Sequence, residues 1–201
     1  VKIAIVLLGG GSGFFLSDLA DAQTIIVEKS TVGCQASRWT DITATLNPVP
    51  GPGDPISIAG VDDSWTAIRV RTSGGPAAVG QISMTGERSG TAPLEVFLLS
   101  IDCLPAVPNE AQAEVATSWS GLTFATGSES VRDAVRLTAA ISGDLTGAID
   151  CGTVYRLQVG GAIKAPVVAH GADIFGNDGH PAIAMIVAGD LSNNGTTEAG
   201  T

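Results

Sequence analysis

Leu137-Thr-Ala-Ala-Ile-Ser-Gly-Asp-Leu145, Val154-Tyr-Arg-Leu-Gln-Val-Gly-Gly-Ala-Ile163 and Ala182-Ile-Ala-Met-Ile-Val-Ala-Gly-Asp-Leu191 share one pattern. Each is a β-type run that ends in glycine, then a small or acidic residue, then an aliphatic one. A unit this short cannot bury its apolar face alone, so it stacks on copies of itself, and that implies a solenoid. Gly143, Gly161 and Gly189 lie 18 and 28 residues apart, lengths that suit coils with turns of unequal size. Inward stacking suits Leu137, Ile141, Leu145, Ile149, Val154, Leu157, Val159, Ile163, Ile183, Ile186 and Leu191. The longer interval would carry residues Ala169 to Pro181 as a projecting loop.

Upstream, short strands alternate with turn chemistry. Thr24 to Glu28, Ile42 to Leu46, Ile56 to Ile58, Trp65 to Arg71, Val79 to Thr85 and Leu94 to Ile101 read as strands. They are separated by Pro- and Gly-rich segments such as Pro48-Val-Pro-Gly-Pro-Gly-Asp-Pro55. In Ala67-Ile-Arg-Val-Arg71 the alternation predicts Ile68 and Val70 inside, with Arg69 and Arg71 on a wet face. The run from Leu94 is nearly all apolar and predicts a strand covered on both sides. The best helical pattern is Asn109 to Trp119, and it is weak.

Composition agrees with an all-β chain. Twenty-six Gly, ten Pro, 15% charged and 4% aromatic residues describe many short turns and small side chains, and 44% hydrophobic content is enough for a core. The fold class is a short-strand β region at 23–130 followed by, or continuous with, parallel β-helix coils at 131–201. No capping segment is evident before Thr201, which leaves the coils open to continuation. A net charge of −10 disfavours nucleic acid as a partner, because the phosphate backbone would be repelled.

Residues 1–22 read as a secretory signal peptide: a basic start at Lys2, an apolar stretch from Ile3 to Leu16, and Ala20-Asp-Ala22 before Gln23. Export to the periplasm, the cell surface or the medium follows. The stretch falls short of the ~20 apolar residues a transmembrane helix needs. A competing reading takes Lys2 to Leu8, Gly9-Gly-Gly-Ser-Gly13 and Thr24 to Glu28 as a dinucleotide-binding strand, loop and acid-ended strand. That fingerprint fails at its third glycine, where Phe14 or Leu16 stands.

Ile141-Ser-Gly-Asp-Leu-Thr-Gly-Ala-Ile149 and Ile186-Val-Ala-Gly-Asp-Leu191 resemble repeats in secreted bacterial proteins with a right-handed parallel β-helix. The resemblance covers about the last third of the chain. It implies an exported structural or adhesive module and supplies no catalytic residues. The middle copy has Ala162 where the others have aspartate, so the acid is not a required ligand.

Candidate chemistry is sparse. Asp173, Asn177 and Asp178, within His170-Gly-Ala-Asp-Ile-Phe-Gly-Asn-Asp-Gly-His180, are similar to one turn of a calcium-binding repeat and form a candidate Ca2+ loop. Such sites take ligands from two turns, and the pattern occurs once. A β-helical polysaccharide lyase or hydrolase is the enzymatic alternative, with Asp144, Asp150 and Asp190 as acids and Arg132, Arg136, Arg156 and Lys164 as the sparse bases. Trp39, Trp65 and Trp119 are either sugar platforms or core anchors. Cys34, Cys103 and Cys151 allow a Cys34–Cys103 disulfide or three buried thiols. Expected partners are glycans or other surface proteins, with self-association through stacked faces also open.

Overall fold

A computed structural model of the chain describes residues 23–32, 39–98, 116–171, 183, 186–191 and 197–199. The chain is all-β, mostly strands with little helix. Fifteen strands form the described structure: β1 (Thr24–Ser30), β2 (Thr40–Asp41), β3 (Ile56–Val61), β4 (Ala67–Ser73), β5 (Ala78–Val79), β6 (Ile82–Gly86), β7 (Leu94–Leu98), β8 (Ser118–Trp119), β9 (Leu122–Phe124), β10 (Val135–Ile141), β11 (Ile149–Cys151), β12 (Thr153–Ile163), β13 (Val167–Ala169), β14 (Ile186–Leu191) and β15 (Thr197–Ala199). One short helix, α1 (Glu129–Ala134), joins β9 to β10.

A seven-stranded sheet has the order β14-β12-β10-β7-β4-β1-β2, and a six-stranded sheet has the order β15-β13-β11-β9-β6-β3. From β3 onward the chain visits the two sheets by turns, and every pairing among β3–β15 is parallel. Each return places a strand beside its predecessor in the same sheet. A third line of contact runs through the β5–β8 pair and continues as the bridges Trp119 to Leu145 and Leu145 to Ile163. Both larger sheets cross residue 130 without a break: β9 pairs β11, and β7 pairs β10.

This pairing stacks aliphatic side chains in columns. Ile56, Ile82, Leu122, Ile149 and Val167 are successive partners in the six-stranded sheet, and all are buried. Ile68, Val96, Leu137 and Val154 do the same in the seven-stranded sheet. By backbone register Val79, Trp119, Leu145, Ile163 and Leu191 follow one another along the third line. The aliphatic positions that the sequence repeat aligns, Leu145, Ile163 and Leu191, are therefore direct neighbours in register. Of the expected inward set, Leu137, Ile141, Leu145, Ile149, Val154, Leu157, Val159 and Ile163 are fully buried, and Ile183 and Ile186 pack partly buried against them.

The first strands depart from the parallel rule. β1 pairs antiparallel with β4 and with β2, and closes one edge of the seven-stranded sheet. Ile42 to Leu46, expected as a strand, is instead a 3-10 turn over Thr43–Thr45. Thr43 explains this: its hydroxyl accepts a hydrogen bond from the Val27 amide, and its own amide donates to the Asp41 carboxylate, so local bonds replace a ladder. The weak helix at Asn109 to Trp119 also fails where it is described, because Ser118–Trp119 is a strand with Trp119 fully buried. Residues 1–22, with the expected signal peptide and its competing glycine loop, lie outside the described residues. Among the described residues no helix is long and apolar enough to cross a membrane.

Two devices hold the corners. Arg88 is buried, and its guanidinium donates to the carbonyls of Asp62, Trp65 and Ala92, at 2.7, 2.7 and 3.1 Å. The Asp63 carboxylate accepts from the Ser89 and Gly90 amides and the Ser89 hydroxyl, tying the β3–β4 corner to the β6–β7 corner. Further along the chain the backbone itself makes the contact. A Cβ on Gly147 would stand 1.8 Å from the Ser120 carbonyl oxygen, and one on Gly121, at φ 96°, would stand 2.1 Å from the Ala148 carbonyl oxygen. Gly147→Ala is expected to lower the unfolding free energy by about 2–3 kcal/mol, as for overpacking of a close-fitted site. Urea denaturation measures it, and a change under about 0.5 kcal/mol, the size of an ordinary surface substitution, would show that this approach is not constrained.

Candidate functional site

The alternation that turns Ile68 and Val70 inward puts Arg69 and Arg71 on the outer face of the seven-stranded sheet. That face is not simply wet. Arg69 is 6% exposed, Phe97 beside it in register is 2% exposed, and Thr138 beside Phe97 is 1% exposed. The expectation of a solvated arginine face is thus corrected at Arg69, whereas Arg71 keeps 31% of its side chain exposed. An unmatched guanidinium could not be buried, and Glu28 on β1, the register partner of Arg69, supplies the match.

Glu28 is shared by two arginines. Arg69 Nε donates to Glu28 Oε2 at 2.8 Å, and Arg71 donates through Nε to Oε2 at 3.0 Å and through Nη2 to Oε1 at 3.3 Å. The Trp39 ring lies over the Arg69 guanidinium, 4.5 Å from its centroid, and meets Phe97 edge-on at 6.3 Å. Burial pushes the Glu28 carboxyl up, but the hydrogen bonds and charges of Arg71 and Arg69 together outweigh it and hold the pKa below the usual glutamate value.

Further along the same face lies a second acid with the opposite balance. Glu95 pairs with Arg136 at 3.4 Å, and the Arg136 guanidinium covers the Tyr155 ring at 4.2 Å. Burial raises the Glu95 pKa, and the Arg136 charge offsets this only in part. Its Oε2 is buried without a hydrogen-bond partner, as are Thr138 Oγ1 and Trp39 Nε1. An arginine–aromatic pair thus stands on either side, with unsatisfied polar atoms between them.

The acids singled out from sequence have other work. Asp144 Oδ1 accepts from the Ala162 amide of β12 at 2.8 Å, and Lys164 donates to its Oδ2, so this aspartate fastens the turn after β10 to the end of β12 although the middle copy lacks it. Asp150 faces His170 Nε2 at 2.5 Å, and Arg132 bonds Asp133 at 2.8 Å. Asp190 is placed by backbone register opposite Ala162. Arg156 donates to Gln158. Trp119 and Trp65 are core anchors, the latter with Lys29 above its ring, whereas Trp39 is half-buried on the outer face. Cys151 is a free buried thiol whose pKa burial pushes well up, which makes it unreactive.

Asp173, Asn177 and Asp178, together with Cys34 and Cys103, lie outside the described residues. Among the described residues no three His, Cys, Asp or Glu side chains converge as metal ligands. Comparison with protein-family models, with curated proteins and with solved structures finds no match for this chain.

The two outer-face glutamates give opposite pH signatures. The folded pKa of Glu28 is depressed, so its contribution is full above the usual value of 4.5 and is lost as pH falls through the lower folded value. The folded pKa of Glu95 is raised, so its charged form penalises the fold as pH rises from 4.5 through the folded value. In melting curves across pH, Glu28→Gln should cost about 3 kcal/mol near neutrality, with the deficit shrinking in acid. Glu95→Gln should fare better against the parent at neutral pH than in acid. Parallel curves for the two variants would contradict this assignment.

Proposed function

We propose that the chain is an exported structural or adhesive module, built as a right-handed parallel β-helix and acting by contact without turnover. One observation carries this reading: from β3 to β15 the chain returns to each sheet beside its own previous strand, always parallel, with aliphatic columns inside. Right-handedness follows the general rule for parallel crossovers. The resemblance of the Gly-Asp-Leu segments to secreted β-helical repeats and the signal-like residues 1–22 support export. Asp144 and Asp150 support the non-catalytic reading, since each is engaged with a residue of a neighbouring coil. The candidate calcium loop at Asp173, Asn177 and Asp178 belongs to this reading as a stabilising site.

The exported product should begin at Gln23, as N-terminal sequencing would show. It should sediment with insoluble glycan or self-associate, and calcium depletion should lower its melting temperature. A monomer indifferent to glycan and calcium alike would overturn the adhesive reading. New reducing or unsaturated ends released from acidic polysaccharides would replace it with the enzymatic one.

A further inference from the structure

Resting on the β-helical part of that reading, we propose that β2 and the turn after it form a stop, which keeps a second copy of the chain from adding end to end. A stacked scaffold whose last strands offer free ladder groups grows by adding copies, and natural sheets blunt such edges with short strands, charges, prolines and bulges. All four devices stand at one end here. The outermost strand of the seven-stranded sheet, β2, is two residues long, and both of them, Thr40 and Asp41, are exposed. Residues 48–55, which lead into β3, hold Pro48, Pro50, Pro52 and Pro55, none of which has an amide to donate. The edge strand β3 follows Pro55 directly and shifts register between Ile58 and Val61, where Gly60 sits at φ 73°. Ile56 donates to the Gln81 carbonyl, so alternation turns only Ser57 and Ala59 outward before that bulge.

The stop is fastened to the core. Ile42 is buried, its amide donates to the Val27 carbonyl at 2.9 Å, and Thr43 Oγ1 accepts from the Val27 amide at 2.8 Å. Leu46 packs against the same core. Gly53 then donates to the Ala78 carbonyl at 2.8 Å and so occupies the edge of β5. At the other end of the seven-stranded sheet β14 runs six residues without proline, so the blunting is one-sided. The strand counts carry the argument furthest. Among the described residues one sheet has seven strands and the other six, so a copy that continues one ladder leaves the other a strand spacing, about 4.8 Å, out of step. Removing β2 leaves six strands in each, and both ladders then continue together.

Sedimentation velocity of the full chain across concentrations tests the stop, with electron micrographs as a second readout and Ile42→Asp and Thr43→Val as variants. The parent should form no end-to-end filament at any concentration, because growth by a head-to-tail contact needs both ends open. Ile42→Asp removes the apolar anchor of the turn. Its mass should rise severalfold with concentration, as unbranched filaments one molecule wide. Thr43→Val loses only the side-chain bonds to Val27 and should shift the same way to a smaller extent. It decides the matter if Ile42→Asp does not fold. Filaments of the parent overturn the stop, and so do folded variants that sediment as the parent does. Neither result bears on glycan binding, so sedimentation with insoluble glycan judges the adhesive reading separately.

Discussion

The whole structure depends on parallel, in-register stacking of small aliphatic columns, because no single turn of the chain holds enough apolar surface to fold. A column such as Ile56, Ile82, Leu122, Ile149 and Val167 draws one side chain from each of five strands spread over more than half the chain. Burying it forces each return of the chain to land beside the last, and the ladder bonds then leave little freedom in register. The corners must therefore be thin. Gly121 and Gly147 meet the carbonyls of Ala148 and Ser120 at distances no side chain could occupy, so the glycine content follows from the stacking.

Stacking alone leaves the ends and outer faces unresolved, and the polar residues of this chain act there. Arg88 gathers three carbonyls at a corner where the backbone has no ladder partner. Asp144 reaches an amide of β12. At the first edge the chain reverses direction, and β1 with β2 occupies the side of β4 where another parallel strand would otherwise add. The antiparallel turn also brings Glu28 opposite Arg69, so one strand both closes the sheet edge and neutralises the buried guanidinium.

Much of the interior could be read from the sequence, and the reason is physical. Period-two alternation and β-branched residues are local, and the spacing of Gly143, Gly161 and Gly189 aligns residues that do stand side by side. What could not be read depends on partners far along the chain. Arg69 and Arg71 look solvated until Glu28, some forty residues away, is placed against them. Thr43 turns a β-like segment into a 3-10 turn through a bond to Val27. Helix α1 is six residues long, too short for periodicity to reveal. One signal for the outer-face site was present: Glu95 is a lone charge inside the apolar run from Leu94, and a charge in such a run is either exposed on a clean face or buried with consequences.

The two acids on that face show why the environment, and not residue type, decides their roles. Glu28 and Glu95 lie on one side of one sheet, each beside arginine, yet their pKa values move in opposite directions. Glu28 has both oxygens bonded by two guanidiniums and a charge matched more than once. Glu95 has one ion-pair contact at 3.4 Å and one oxygen with nothing, so desolvation wins. A fully satisfied network adds rigidity to the sheet and has no remaining capacity for a ligand. The difference across a few strands, with Glu28 fully paired and Glu95 only partly so, follows from the neighbours that strand register supplies to each, and it leaves untouched the columns that hold the sheets together.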